Sequence, residues 1–124
     1  MYQVSKTFSF DAAHALRGYE GNCERLHGHR WEVAVCVEGT DLNALGLLVD
    51  FRAIKAAAQA ATAEYDHNTL NDVAPYDTIN PSTENIARTI FHAVQGKLAA
   101  IAPDAHLAYI QVWESPTSWA KYWE

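Results

Sequence analysis

From residue 27 to residue 38 the chain alternates, and its odd positions read His27, His29, Trp31, Val33, Val35 and Val37. Side chains two residues apart on a strand point to the same face. The run therefore predicts a strand on which two imidazoles share a face with the apolar residues. A fold built on this strand has to bury the valines and carry His27 and His29 on the same side.

The flanking sequence supplies the other elements. Residues 2 to 10 alternate Tyr2, Val4, Phe8 and Phe10 against Gln3, Ser5, Thr7 and Ser9, which predicts a first strand. Residues 12 to 26 read as a loop with Gly18 and Gly21, and Glu38 to Asp41 as a turn. Gly46 to Asp50 predicts a short third strand. Phe51, Ile54, Ala58, Ala61 and Tyr65 keep helical spacing behind Asp50, a candidate N-cap. Residues 68 to 80 form a loop. A second helix starts around Ser82-Thr83-Glu84, buries Ile86, Ile90, Val94, Leu98 and Ile101, and stops at Pro103. Residues 106 to 114 predict a fourth strand with Ile110, Val112 and Glu114 on one face, followed by an aromatic tail from Trp119 to Trp123. The expected class is α+β: a four-stranded antiparallel sheet with two helices on one face. The other face, with Trp31, Tyr109 and Trp113 nearby, would need a partner, which predicts an oligomer.

The length of 124 residues suits a single domain spanning 1–124. A net charge of -6, with only 9 Lys and Arg and no basic run, speaks against a nucleic-acid surface. No window approaches the ~20 apolar residues of a membrane span. The N-terminus lacks a signal-peptide core, so a cytoplasmic location is expected. Of the two cysteines, Cys36 alternates with valines and reads as buried, whereas Cys23 lies in a polar loop and reads as the reactive one. A Cys23–Cys36 disulfide is the alternative.

Chemistry concentrates in Cys23-Glu-Arg-Leu-His27-Gly-His29. With His14 upstream, three imidazoles can hold Zn²⁺ and leave a fourth position open, and Cys23 becomes a candidate acid or base. Asp66-His67 reads either as a helix-capping pair or as an acid–base histidine oriented by a carboxylate. Glu114 is either a strand-end residue reaching water or a carboxylate able to grip a planar N–H edge through two hydrogen bonds. Thr83-Glu84 opens a helix and can be a capping pair. His92 and His106 read as surface or packing residues.

Six ordered motifs make the chain resemble a known family. They are Phe10-Asp-Ala-Ala-His14, Cys23-x-x-x-His27-Gly-His29, Gly46-Leu-Leu-Val-Asp-Phe51, Asp66-His67-x-x-Leu-Asn71, Pro81-Ser-Thr-Glu84-Asn85 and Val112-Trp-Glu114. Together they resemble the 6-pyruvoyltetrahydropterin synthase / 6-carboxytetrahydropterin synthase family, and the three-residue gap between Cys23 and His27 resembles its queuosine-biosynthesis branch. The resemblance implies the tunnelling fold, with zinc on His14, His27 and His29 and Cys23 as the proton-abstracting base. It implies His67 with Asp66 as a second acid–base group and Glu114 as the pterin anchor, with Thr83 and Glu84 helping to line the pocket. It also implies a homohexamer, a dimer of trimers with sites between subunits. The implied substrate is 7,8-dihydroneopterin triphosphate, cleaved to 6-carboxytetrahydropterin, acetaldehyde and triphosphate. The biopterin branch would instead eliminate triphosphate alone, and a folate-linked branch places glutamate near the cysteine, as Glu24 stands here. Arg17, Arg25, Arg30, Lys6 and Lys121 are candidates for the triphosphate, and none is assigned.

Overall fold

The computed structural model describes residues 1–21 and 24–124. Its elements are β1 (Tyr2–His14), β2 (His27–Gly39), α1 (Phe51–Ala61), β3 (Asn68–Thr69), a 3₁₀ turn (Leu70–Asp72), α2 (Thr83–Ile101), β4 (His106–Ser115) and β5 (Ser118–Tyr122). The sheet has the order β3-β1-β2-β4-β5. The expected α+β class with two helices holds, but there are five strands rather than four, and the β1–β3 pair is parallel.

The alternation of β1 and β2 sets the core. Phe8 faces Val33, Phe10 faces Trp31 and Val4 faces Val37 across the antiparallel ladder. On β4 the same face carries Ile110 opposite Val35 and Val112 opposite Val33. These residues pack with Ile86, Ile90, Phe91 and Val94 of α2 and with Ile54 and Ala58 of α1. Trp31, Val33, Val35, Ile110 and Val112 are wholly buried. Trp31 therefore belongs to the helix-covered face, which corrects the expectation that placed it near the open one. Tyr109 and Trp113, of opposite parity to Ile110 and Val112, are half-buried. Truncating a side chain as large as Trp31 in such a core typically costs about 3–5 kcal/mol.

Three other expectations change. Gly46–Asp50 is not a strand. Asn43 organises it as a tight loop: its side-chain oxygen accepts from the N–H groups of Leu45 and Leu47, and its carbonyl from Gly46. Gly46 sits at φ +80, a conformation open to glycine but strained for other residues. Helix α1 stops at Ala61 rather than Tyr65: Thr62 leaves helical geometry at φ -116 and ψ 16, its N–H shared between the Ala58 and Gln59 carbonyls and its hydroxyl donated to the Ala58 carbonyl. The aromatic tail is a strand. It pairs with β4 through a tight Pro116-Thr117 connection, with Ala120 opposite Val112 and Tyr122 opposite Ile110. Helix α2 begins as expected, with the Ser82 hydroxyl accepting from the Asn85 N–H, a cap worth about 1 kcal/mol, but Ile101, expected in its buried stripe, is exposed at the helix end. Among the described residues no helix is long and apolar enough to cross a membrane.

Candidate metal centre and its groove

β1 runs four residues further than its alternation suggests, and this extension builds the site. Its last residue, His14, pairs directly with His27, the first of β2, and Ala12 pairs with His29. Directly opposed residues on one face lie close enough for side chains to meet. The small side chain at Ala12 leaves the space above it to the imidazoles. The rings of His14, His27 and His29 lie edge to face, with centroids 4.6, 4.7 and 5.2 Å apart. Trp31 forms their floor, 4.8 Å from His14 and 5.4 Å from His29, with its indole N–H donated to the Ala12 carbonyl.

β4 brings the fourth group. Glu114 lies where the β4–β5 register shifts, between Trp113 and Ser115. Its Oε1 is 3.2 Å from His14 Nε2 and 3.4 Å from His29 Nε2. One ligand atom from each of His14, His27, His29 and Glu114 falls within 4.8 Å of all the others.

Two backbone carbonyls orient the rings. His14 Nδ1 lies 2.7 Å from the Pro81 carbonyl, and His27 Nδ1 lies 2.7 Å from the Arg25 carbonyl. A carbonyl only accepts, so each Nδ1 carries the proton and each Nε2 turns a lone pair inward. Burial lowers the His14 and His29 pKa values, which favours the neutral, ligating form of each ring. His29 Nε2 is buried without a hydrogen-bond partner, the single such side-chain atom among the described residues. Converging lone pairs and an orphaned nitrogen are the arrangement a divalent cation satisfies, so the donor set fits a metal.

A second cluster forms around Asp11 of β1. His67 Nδ1 is 3.0 Å from Asp66 Oδ2, and Asp66 Oδ1 accepts the Asp11 N–H at 2.9 Å. The Asp11 N–H, helped by the imidazole of His67, holds the Asp66 carboxyl below the usual carboxylate range. His67 itself has φ 59, an uncommon left-handed conformation, and its N–H is tied to the Asp11 carbonyl. A groove of about 440 Å³ crosses β1 from Gly28, His29 and Arg30 to His67, Asn68 and Thr69; its lining residues Asp11, Ala13, Gly28 and Arg30 alternate with the residues that carry the three imidazoles, so it opens on the other face of the sheet. Thr83 and Glu84 open α2 two and three residues after Pro81, and neither bonds to the cluster among the described residues. Cys23 lies outside the described residues.

Residues 3–124 match the family model described as 6-pyruvoyl tetrahydropterin synthase. The chain belongs to this family of enzymes. A 6-carboxy-5,6,7,8-tetrahydropterin synthase from Bacillus subtilis is 32% identical over 98% of this chain and 84% of its own. A dihydroneopterin monophosphate aldolase from Pyrococcus furiosus is 37% identical over 86% of this chain and 83% of its own. The 6-pyruvoyl tetrahydropterin synthase of Caenorhabditis elegans has the same fold, the tunnelling fold, with a TM-score of 0.86 at 22% identity, covering 99% of this chain and 95% of that one.

Three residues that frame the site in this family member escaped the sequence reading of the centre. Asn71 uses its amide as a strand edge: Oδ1 accepts from the Ala15 N–H, and Nδ2 donates to the Ala15 carbonyl, each at 2.9 Å. Asn80 does the same to Arg17, at 2.9 and 3.0 Å. Arg17 donates its guanidinium to the carbonyls of Ile79, Asn71 and Tyr76. The segment after His14 is thus laced to the loop before Pro81, whose carbonyl orients His14. Arg17, a candidate for the triphosphate, is engaged in this lacing, and Lys121 lies over the Tyr109 ring at 3.9 Å. Asn71→Ala removes two hydrogen bonds, each worth about 0.5–1.5 kcal/mol. The variant is expected to lose about 1–3 kcal/mol of stability, read from its urea unfolding midpoint. The signal available in sequence was Asn71 closing the Asp66-His67-x-x-Leu motif.

Proposed function

We propose that this chain, as a single domain over residues 1–124, is a zinc-dependent carbon–carbon lyase. It converts 7,8-dihydroneopterin triphosphate to 6-carboxy-5,6,7,8-tetrahydropterin, acetaldehyde and triphosphate in queuosine biosynthesis. The observation that carries the reading is the convergence of His14, His27, His29 and Glu114, whose ligand atoms all lie within 4.8 Å of one another. The Bacillus subtilis relative, a 6-carboxy-5,6,7,8-tetrahydropterin synthase, supports the same product.

His14, His27 and His29 would hold the zinc, which when bound supplies Lewis-acid polarisation of side-chain oxygens. The chain's own residues carry the protons. Cys23, as thiolate, removes a proton from the substrate side chain. His67, held by Asp66, moves protons to and from the pterin and its side chain. The left-handed backbone at His67 and the two hydrogen bonds to Asp11 support this reading, because they hold the Asp66–His67 pair in place. Glu114 grips the N–H edge of the pterin ring, and Thr83 and Glu84 help to line its pocket. The enzyme works in the cytoplasm as a homohexamer of two trimers with sites between subunits, which would enclose a groove that is shallow in one chain.

A second reading has its own support. The Pyrococcus furiosus relative is an aldolase by name, and Glu24 follows Cys23 here. Mass spectrometry of the products separates the readings. Carboxytetrahydropterin with acetaldehyde is expected from the triphosphate. A pyruvoyl product would place the enzyme in the biopterin branch, and glycolaldehyde with a hydroxymethylpterin would place it with the aldolases.

A further inference from the structure

The zinc reading leaves Glu114 with a problem of charge. Its carboxylate accepts hydrogen bonds and donates none when ionised. Yet Oε1 lies 3.2 Å from His14 Nε2, whose lone pair faces inward because Nδ1 is committed to the Pro81 carbonyl. His14 Nε2 is in turn 3.0 Å from His27 Nε2, whose lone pair is turned inward by the Arg25 carbonyl. The 3.4 Å approach of Oε1 to His29 Nε2 lacks hydrogen-bond alignment and leaves that nitrogen orphaned. Acceptors crowded in this way repel unless a cation lies among them.

The spacings fit such a cation. Zinc bonds of about 2.0–2.2 Å in a tetrahedron separate neighbouring donors by about 3.3–3.6 Å. The contacts of 3.0, 3.2 and 3.4 Å that link His27, His14, Glu114 and His29 lie close to this edge length. An oxygen on a neighbouring vertex also lies off the axis of each imidazole, which accounts for close approach without hydrogen-bond alignment.

We propose that Glu114 is the fourth metal donor of the substrate-free enzyme and gives up that position when the pterin binds. The proposal rests on the three-histidine zinc reading and adds to it a vertex that is closed at rest. Exposure favours Glu114 as the donor that leaves. It is 29% exposed and sits at a register shift between strands, whereas His14 is 1% exposed and fixed by Pro81. Released from the metal, the same carboxylate is free to take the N–H edge of the pterin. Opening the metal to substrate oxygens and recognising the ring then become one event.

The test uses the full-length protein stripped of metal and loaded with Zn²⁺ or Co²⁺. Zinc affinity is measured by chelator competition for wild type, Glu114→Ala and Glu114→Gln, and the visible spectrum of the cobalt form is recorded without substrate. Glu114→Ala is expected to weaken zinc binding at least about 10-fold, the lower limit for losing even an outer-sphere partner, and to shift the cobalt bands. Glu114→Gln preserves the size of the side chain and controls for folding. It is expected to weaken zinc binding and shift the bands as well, because a neutral amide is a poorer donor. Unchanged affinity and bands in both variants would overturn the fourth-donor assignment while leaving the histidine site intact. If wild type and His27→Ala bind cobalt equally, the three-histidine reading itself fails, and this proposal fails with it.

Discussion

His27→Ala is expected to leave a folded protein that no longer retains zinc and no longer turns over pterin. The choice of His27 over His14 follows from burial. His14 is 1% exposed and packed on Trp31, so its removal would open a cavity and confound stability with ligation. His27 is half-buried at the very start of β2, and its only tether outside the cluster among the described residues is to the nearby Arg25 carbonyl. Losing one of three imidazoles costs more than the 10–100-fold typical of an outer-sphere partner, so affinity should fall by at least about 100-fold. Elemental analysis after dialysis against a weak chelator, alongside a melting curve of the metal-free protein, measures both parts. Stoichiometric zinc in the variant would remove His27 from the ligand set.

The strands that carry the site were legible because a period of two displays a face directly. His27, His29 and Trp31 share that face with the valines of β2, and Glu114 shares one with Ile110 and Val112. What alternation does not display is register. His14 meets His27 only because β1 continues past Phe10 through Asp11-Ala-Ala, residues with little strand character of their own, held by the ladder to β2 and the short parallel pair with Asn68 and Thr69. The carbonyls of Pro81 and Arg25 were invisible for a related reason: every residue has a carbonyl, and only the tertiary fold decides which one faces a ring nitrogen. Asn71 and Asn80 belong to the same class, since an amide that imitates a strand edge looks in sequence like any loop asparagine. The error at Gly46–Asp50 is local. Leu47, Leu48 and Val49 have strand propensity, but Asn43 and the positive φ of Gly46 commit the backbone to a loop before a ladder can form.

Cys23→Ala is expected to lower turnover by about 10²- to 10⁴-fold or more, the usual contribution of a positioned acid–base group, and to leave zinc content unchanged. The two halves of this expectation come from different places. The loss of turnover follows from the role the family resemblance gives to a thiol four residues before His27. The retention of zinc follows from the donors: His14, His27 and His29 would hold the ion, and with Glu114 as the proposed fourth donor a thiolate has no vertex to fill. Steady-state turnover of the pterin triphosphate and elemental analysis on one preparation test both halves together. Zinc lost in parallel with activity would make Cys23 a ligand and displace Glu114 from the set. Activity retained with zinc in place would pass the proton abstraction to another base.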